Sequence, residues 1–396
     1  MAERAARLHM HPCRFFLRKE RMKNSFAVFA LAALSITATA QVKELRLTDS
    51  DTIIEKLGSR PPKLNSPADL VPAVRQLIAQ ARQTADPRYL GQAQAMIGAL
   101  WSNTAASYEV ATLQATIEQS RHEFAQAKLS LQSALTKPTA SNAQAWLTLA
   151  TIERVQGNYA AALQACKSIT EPAARLYAQA CLLETQSMQG QWMPAREGFN
   201  NLLRGLQQPS QQAWLLSLLA ENEERAGNAA AALKHYALSL SLDNDGYTAL
   251  AYADALLRQD KADAKWANQA IAVLQTQPSS DSVLIRRAQA YKMIGDAPSL
   301  REYQRIANEL DARFAAAALR LDKNAGHARE QALHALHVQG NARAALAFAQ
   351  TNLTLQKEPI DWLIALQSAA LAGQASEKPK LLAAIAQTGL KDERLR

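Results

Sequence analysis

The apolar positions of this chain do not alternate with polar ones over any sustained stretch, and runs of β-branched residues are few. Both features favour α-helices over strands. Two dipeptides predict helix starts, Ser66 with Pro67 and Asp86 with Pro87, because Ser and Asp cap helices and Pro suits the first helical position. The pattern therefore predicts an all-α chain.

Short turns divide the predicted helices at a nearly constant interval. The clear turns begin at His122, Gly157, Gly190, Gly227, Gly295, Gly340 and Gly373, and a vaguer one lies near Gln259. The first four are 35, 33 and 37 residues apart, and the last two are 33 apart. A period close to 34 residues predicts helix pairs stacked in a row.

The residues around these turns resemble the tetratricopeptide repeat family. That family has a bulky residue, a Leu and a small residue on the first helix, Gly at the turn, and an aromatic, an Ala and a second aromatic on the second helix. One unit supplies Trp146, Leu149, Ala150, Gly157, Tyr159 and Ala162, with Cys166 in place of the last aromatic. The next two supply Leu182, Gly190, Trp192, Ala195 and Phe199, then Leu219, Ala220, Gly227, Ala232 and Tyr236.

The resemblance implies a tetratricopeptide-like α-solenoid, a right-handed superhelix of five to seven antiparallel helix pairs. It predicts five segments along the chain. Residues 1–40 are an N-terminal extension with a secretory signal, and residues 41–66 are a leader and linker rich in Pro, Gly and Ser. Residues 67–110 form a helical cap, residues 111–278 the core repeats, and residues 279–396 degenerate repeats with capping helices.

In repeats of this kind, the first helix of each pair faces a concave groove. By phase, the groove residues are Leu147, Thr151, Arg154, Tyr177, Ala180, Glu184, Ser187, Trp214, Ser217, Glu221, Glu224 and Arg225. Aromatic and mixed charged side chains suit an extended peptide or a partner helix, with Trp214 as its anchor. Two alternatives remain: these residues form a merely solvated face, or Tyr177 and Trp214 pack between neighbouring units.

The N-terminal region predicts export. Five basic residues between Arg14 and Lys23 precede the apolar run Phe26–Leu34, and small residues at Ala38 and Ala40 follow. This order is typical of a signal cleaved after Ala40, and the apolar run is short for a membrane span. Residues 1–40 hold seven Lys/Arg and two Asp/Glu, so without them the net charge falls from +9 to +4. Nucleic-acid binding loses most of its support from charge.

Few residues offer chemistry beyond binding. The sequence holds no recognised catalytic motif. His327, His334 and His337 are a weak candidate metal cluster, which Asp322 and Glu330 are near enough in sequence to assist. An oxidising compartment permits a disulfide between Cys166 and Cys181, although two buried free thiols are the favoured interpretation.

We therefore expect a non-catalytic protein-interaction scaffold of the cell envelope, exported to a Gram-negative periplasm. It has no cofactor, and its partner is a protein or peptide rather than nucleic acid, since the groove residues include three Glu against two Arg. Three alternatives remain. The first is a helical repeat that binds RNA, and the second is a scaffold anchored to the inner membrane by an uncleaved signal. The third is a periplasmic metal-handling protein that uses the three histidines.

Overall fold

A computed structural model describes residues 67–101, 107–137, 139, 141–259, 263–319 and 327–396. Over these residues the chain forms 18 α-helices and no β-strand, which confirms the all-α prediction. The predicted signal and linker at residues 1–66 lie outside the described residues. None of the described helices is both long and apolar enough to cross a membrane.

Consecutive helices pack against each other as nine pairs in the described part of the chain. They are α1 (Pro67–Thr84) with α2 (Arg88–Met96), α3 (Tyr108–Ser120) with α4 (Phe124–Leu135), α5 (Ala143–Val155) with α6 (Tyr159–Lys167), α7 (Arg175–Met188) with α8 (Trp192–Arg204), α9 (Pro209–Arg225) with α10 (Ala229–Leu242), α11 (Gly246–Leu257) with α12 (Ala264–Leu274), α13 (Asp281–Ile294) with α14 (Ala297–Ala318), α15 (Ala328–Leu333) with α16 (Ala342–Asn352), and α17 (Pro359–Leu371) with α18 (Glu377–Thr388).

Short irregular turns complete the described chain. Single 3₁₀ turns lie at Gly98–Leu100, Pro172–Ala174 and Glu393–Leu395, and a π turn at His334–Val338 continues α15. Nine pairs exceed the five to seven predicted, and one reason is that the poorly matching stretch around Gln259 still supplies a pair, α11 with α12. The hand of the superhelix and the boundaries between the predicted segments stay predictions.

The predicted turns have a common geometry. Gly190 has a φ of 87°, and its N–H donates to the Ser187 carbonyl while the Gln191 N–H donates to the Gln186 carbonyl, which ends α7. Gly157, Gly227, Gly295, Gly340 and Gly373 have φ between 68° and 78°. His122 holds the same backbone region at 60°, where a side chain is less favourable than Gly. The recurrence of this turn confirms the tetratricopeptide-like phase.

Small residues lie where the paired helices cross. Ala150, Ala162, Ala195, Ala220 and Ala232 are all 0% exposed. The aromatic positions of the repeat pattern are buried as well, including Phe199 and Tyr236. Because such close crossings leave no room for larger side chains, the repeated alanines set the spacing of the helices.

The hydrophobic core passes from one pair to the next along the chain, as expected for stacked repeats. The last part of the sequence departs from this order. Leu355 packs among the residues of α3 to α5, and Leu390 and Leu395 share a core cluster with Tyr159 and Met188. Residues 353–396 therefore fold back onto the central pairs.

Two segments make this return. Residues 353–358 are the return loop, and residues 389–396 are the closing segment. The Lys357 N–H donates to the Val155 carbonyl at 2.7 Å, and the Lys391 N–H donates to the Met188 carbonyl at 2.8 Å. Val155 and Met188 are the last residues of α5 and α7, so both bonds satisfy carbonyls that a helix end leaves unpaired.

The cysteines correct one expectation. Cys166 and Cys181 are joined by a disulfide, with their Cα atoms 5.7 Å apart, rather than being two free thiols. Cys166 lies in the last turn of α6 and Cys181 in the middle of α7. The tight packing of these consecutive helices brings the two cysteines to a separation typical of disulfides, which sequence spacing alone does not reveal.

Candidate functional site

The first helices of successive pairs surround a cavity of about 1050 Å³. Its rim consists of exposed residues, namely Gln83, Ala85, Asn244, Tyr247, Thr276 and Pro278. Its floor consists of buried residues, namely Thr148, Arg154, Glu184, Met188, Glu221 and Val283. Glu358, at the end of the return loop, completes the wall. The cavity is thus the part of the predicted concave face that the chain does not fill itself.

Arginines stand next to the carboxylates of this cavity. Glu184 pairs with Arg154 at 3.0 Å, and both line the cavity. Glu221 pairs with Arg225 at 3.4 Å and Glu358 with Arg329 at 2.6 Å, and neither of these arginines lines the cavity. The lining as a whole presents four carboxylates and two guanidinium groups, so it is acidic in a chain with an excess of basic residues.

Glu221 keeps one carboxylate oxygen available for a further hydrogen bond. The residue is 9% exposed, and its Oε1 accepts no hydrogen bond from the described residues. Burial raises the pKa of Glu221, and the charge of Arg225 and a hydrogen bond with Tyr247 offset part of that effect.

Four of the predicted groove residues line the cavity. Thr151 and Arg154 lie on α5, Glu184 on α7 and Glu221 on α9. The structure therefore brings these four residues, which come from three successive helix pairs, to the same cavity, as the phase of the repeat predicts. Their role in binding a partner stays a prediction.

The aromatic anchor is placed differently from the prediction. Trp214 is 8% exposed and its ring lies 5.3 Å from that of Tyr177, which is 4% exposed. Both belong to the core cluster shared by α5 to α9, together with Leu147 and Ala180. The two aromatics therefore pack between neighbouring units, as the alternative interpretation of the sequence had it, and Trp214 does not line the cavity.

Ser187, Ser217, Glu224 and Arg225, four further predicted groove residues, form internal contacts. The Ser187 hydroxyl donates to Asn222 at 2.7 Å and accepts from Arg225 at 3.0 Å, and the Ser217 hydroxyl donates to the Trp214 carbonyl. Glu224 pairs with Arg258 and with Arg394 of the closing segment, the latter at 3.0 Å. These residues hold the groove wall together and do not line the cavity, and their role in binding a partner stays a prediction.

Three lining features were missed by the sequence analysis. Tyr247 and Asp245 lie at the start of α11, where the Asp245 carboxylate accepts from the Thr248 N–H at 2.9 Å. This N-cap is a readable start signal, and it would have put Tyr247 on a first helix. Glu358 precedes Pro359, which also suits a helix start, but nothing in the sequence indicates that the return loop reaches α5.

Among the described residues, the candidate histidines are not gathered into a metal site. No group of three His, Cys, Asp or Glu side chains in the described ranges is placed to hold a metal ion, and Asp322 lies outside them. His327 is exposed, whereas His334 is 4% exposed, lies 3.1 Å from Asp311 and packs against Phe314. The prediction assumed that His334 and His337 share one face of a regular α-helix, and the π turn at His334–Val338 replaces that α-helical geometry.

His334 should make the stability of the fold depend on pH. Burial lowers its pKa below the usual value, and attraction to Asp311 and Asp281 offsets part of this. As the pH falls below about 6.5, the unfolded chain therefore takes up a proton that the folded chain does not, and the free energy of unfolding decreases. We expect urea unfolding between pH 7 and pH 5 to show a smaller decrease in His334→Gln than in the wild type.

The matched control for this measurement is His327→Gln, since His327 is exposed. Its pH dependence should follow that of the wild type. His122 and His235 also have pKa values lowered by burial, so the His334 variant should retain part of the slope. An unchanged slope in His334→Gln would contradict the assignment.

Comparisons with known proteins locate the fold only loosely. No family model matches the chain, and no curated protein matches it. A solved tetratricopeptide repeat protein from Parabacteroides merdae is 14% identical, with an alignment covering 76% of this chain and 98% of that one and a TM-score of 0.32. The TPR domain of P58(IPK) is 12% identical, with coverage of 79% and 91% and a TM-score of 0.21. The assignment of the fold therefore rests on the helix pairs and their turns.

Proposed function

We propose that this chain, a tetratricopeptide-like stack of helix pairs, is a non-catalytic scaffold that holds an extended segment of a partner protein in its cavity. The observation that carries the proposal is the cavity itself, which the first helices of successive pairs enclose and which keeps an exposed rim. Stacked helical repeats use concave surfaces of this kind for binding. The cavity volume of about 1050 Å³ lies at the upper end of the range of ligand sites.

An extended segment fits this cavity better than a helix. A cube of the same volume has an edge of about 10 Å, which is the diameter of one α-helix with its side chains. A single helix would therefore fill the whole cavity. An extended strand is thinner and offers free backbone N–H and C=O groups to the polar floor, where Thr148, Arg154 and Glu184 lie.

We also propose that the scaffold works in the cell envelope after export. The predicted signal at residues 1–40 supports this location, and the Cys166–Cys181 disulfide is compatible with an oxidising compartment. The mass of the protein recovered from the envelope separates a cleaved signal from an uncleaved anchor. A mass equal to that of a chain that starts at Gln41 supports export with cleavage. A mass that still includes the apolar run Phe26–Leu34 supports the anchored alternative.

Blocking the cavity tests the binding proposal. Thr151 lines the cavity, and its hydroxyl donates to the Leu147 carbonyl at 3.0 Å. A Thr151→Trp substitution fills part of the cavity. We expect peptides selected from a random extended-peptide library on the wild-type chain to bind Thr151→Trp at least about tenfold more weakly in fluorescence anisotropy, because their volume is taken by the indole.

The control has the same local geometry on the outside of the fold. Thr351 is an exposed helical residue whose hydroxyl donates to the Ala347 carbonyl at 3.0 Å, as that of Thr151 does to Leu147. Thr351→Trp should bind the selected peptides like the wild type. The proposal fails if no peptide is selected, or if Thr151→Trp binds as tightly as Thr351→Trp.

A further inference from the structure

We propose that the cavity recognises a positively charged side chain, lysine or arginine, on the bound segment, and that Glu221 is the residue that contacts it. This inference rests on the proposed function, since it takes the ligand to be a peptide segment. It adds the chemical class of the ligand and names the residue that selects it.

The first argument is the unused bonding capacity of Glu221. Its side chain is buried on the cavity floor, yet Oε1 accepts no hydrogen bond from the described residues. A buried carboxylate oxygen without a donor is costly, and a donor supplied by a ligand removes that cost. Rotation about the last torsion of Glu exchanges the two oxygens easily, so either one can turn towards the cavity.

The second argument is the position of the arginine that accompanies Glu221. Arg225 lies one helical turn further along α9 and does not line the cavity, and its nearest approach to Glu221 is 3.4 Å. Arg225 also donates to the Ser187 hydroxyl, so it is shared between two acceptors. Arg225 thus offsets part of the negative charge of Glu221 from outside the cavity lining. A second cation can still approach the carboxylate from the cavity.

The third argument is the balance of charge around the ligand. Glu184, Asp245 and Glu358 line the same cavity as Glu221, whereas Arg82 and Arg154 are the two arginines in its lining, and Arg225 and Arg329 lie behind the carboxylates with which they pair. A ligand with a cationic side chain meets an attractive field, and an acidic ligand meets a repulsive one. The cavity therefore selects by charge as well as by size.

Tyr247 gives the ligand side chain a second contact. It lies at the rim on the first turn of α11, is 39% exposed, and is close enough to hydrogen-bond Glu221. A lysine or arginine side chain that passes this ring places its apolar stem on the aromatic surface and its charged end at Glu221. Cations near tyrosine rings gain a further attraction of this kind.

The decisive measurement compares two peptides that differ in one charge. One is a capped five-residue peptide with lysine at its centre and alanine elsewhere, and the other carries acetyl-lysine at the same place. We expect calorimetry on the full chain to show binding of the lysine peptide at least about tenfold tighter, since a charge-assisted hydrogen bond is replaced by a neutral one. In Glu221→Gln most of this preference should disappear, because the other carboxylates of the cavity attract the lysine only through their field and not through a direct contact.

A matched variant removes a carboxylate outside the cavity. Glu302 is a half-exposed residue of α14 that pairs with Arg305, so Glu302→Gln changes the net charge by the same amount without touching the cavity. It should keep the full preference for lysine. The comparison of the two peptides on the wild-type chain needs no variant, and it stays decisive even if Glu221→Gln does not fold.

The outcomes separate this inference from the proposed function. Peptide binding without a preference for lysine, or a preference that is undiminished in Glu221→Gln, overturns the inference and leaves peptide binding intact. Failure of both peptides and of every library peptide overturns both. Spermidine serves as a free-amine probe. If it binds through Glu221 while the lysine peptide does not, the cation belongs to a small molecule and the peptide assignment is overturned.

Discussion

Replacing Asp361 with alanine should lower the free energy of unfolding by about 3–5 kcal/mol, the usual cost of breaking a buried ion pair by removing one partner. The Asp361 carboxylate is fully buried at the start of α17. Arg329 donates to both of its oxygens, from Nε at 2.7 Å and from Nη2 at 2.8 Å. The alanine variant leaves this arginine with Glu358 as its remaining carboxylate partner.

Two further donors make the loss large. The Asn352 side chain donates to Asp361 at 2.7 Å, and the Glu358 N–H donates to it at 2.9 Å in a reciprocal cap at the start of α17. One carboxylate thus joins α15, α16 and α17. The substitution leaves several buried donors without an acceptor, each of which adds its own desolvation cost.

Urea unfolding followed by circular dichroism measures this difference, with Glu302→Ala as the control. Glu302 also pairs with an arginine, Arg305 at 3.1 Å, but both side chains are about half exposed. Exposed pairs contribute between about 0 and 1 kcal/mol, so the control should unfold close to the wild type. Equal midpoints for Asp361→Ala and Glu302→Ala would show that Asp361 does not hold these helices together.

The repeat architecture was readable from the sequence because its determinants are local. A turn residue with positive φ and alanines at helix crossings act within about 35 residues, and seven of the predicted turns have the expected backbone. Local rules also identify α11, through the Asp245 cap, although the repeat pattern there is weak. The contacts that determine these helices and turns lie within one repeat unit or between adjacent units.

The groove was only partly readable because its shape depends on contacts between distant parts of the chain. The phase of the repeat correctly brings Thr151, Arg154, Glu184 and Glu221 to one cavity. It does not distinguish a residue that faces the cavity from one that packs between units, as Trp214 does. Nor does it reveal that the return loop and the closing segment cover the turns of α5 to α10.

Thr388 and the closing segment that follows it run along three successive turns. An added Cβ at Gly157 would lie 3.2 Å from Thr388, one at Gly190 would lie 3.1 Å from Lys391, and one at Gly227 would lie 3.4 Å from Glu393. Two or three residues of extended chain span about 7–10 Å, roughly the distance between packed helices. The segment thus links three units that otherwise touch only their neighbours.

Ending the chain after Thr388 should therefore lower the free energy of unfolding by about 3–6 kcal/mol. Leu390 is 2% exposed and Leu395 is 4% exposed, and complete burial of one leucine is worth about 1.5–3 kcal/mol. The deletion also removes Arg394 from Glu224 and the Lys391 N–H from the Met188 carbonyl. Because the segment spans several units, the urea unfolding transition should become less cooperative, and its midpoint should move to a lower urea concentration.

Deletion of Arg396 alone is the control for this truncation, since its side chain is 75% exposed and pairs only with Glu393 at the surface. It should unfold like the full chain. If the chain that ends at Thr388 also unfolds at the wild-type midpoint, residues 389–396 do not hold the stack closed. A large loss confined to the longer deletion means that the shape of the cavity depends on the closing segment, because the same α7 and α9 that carry Glu184 and Glu221 end where this segment packs.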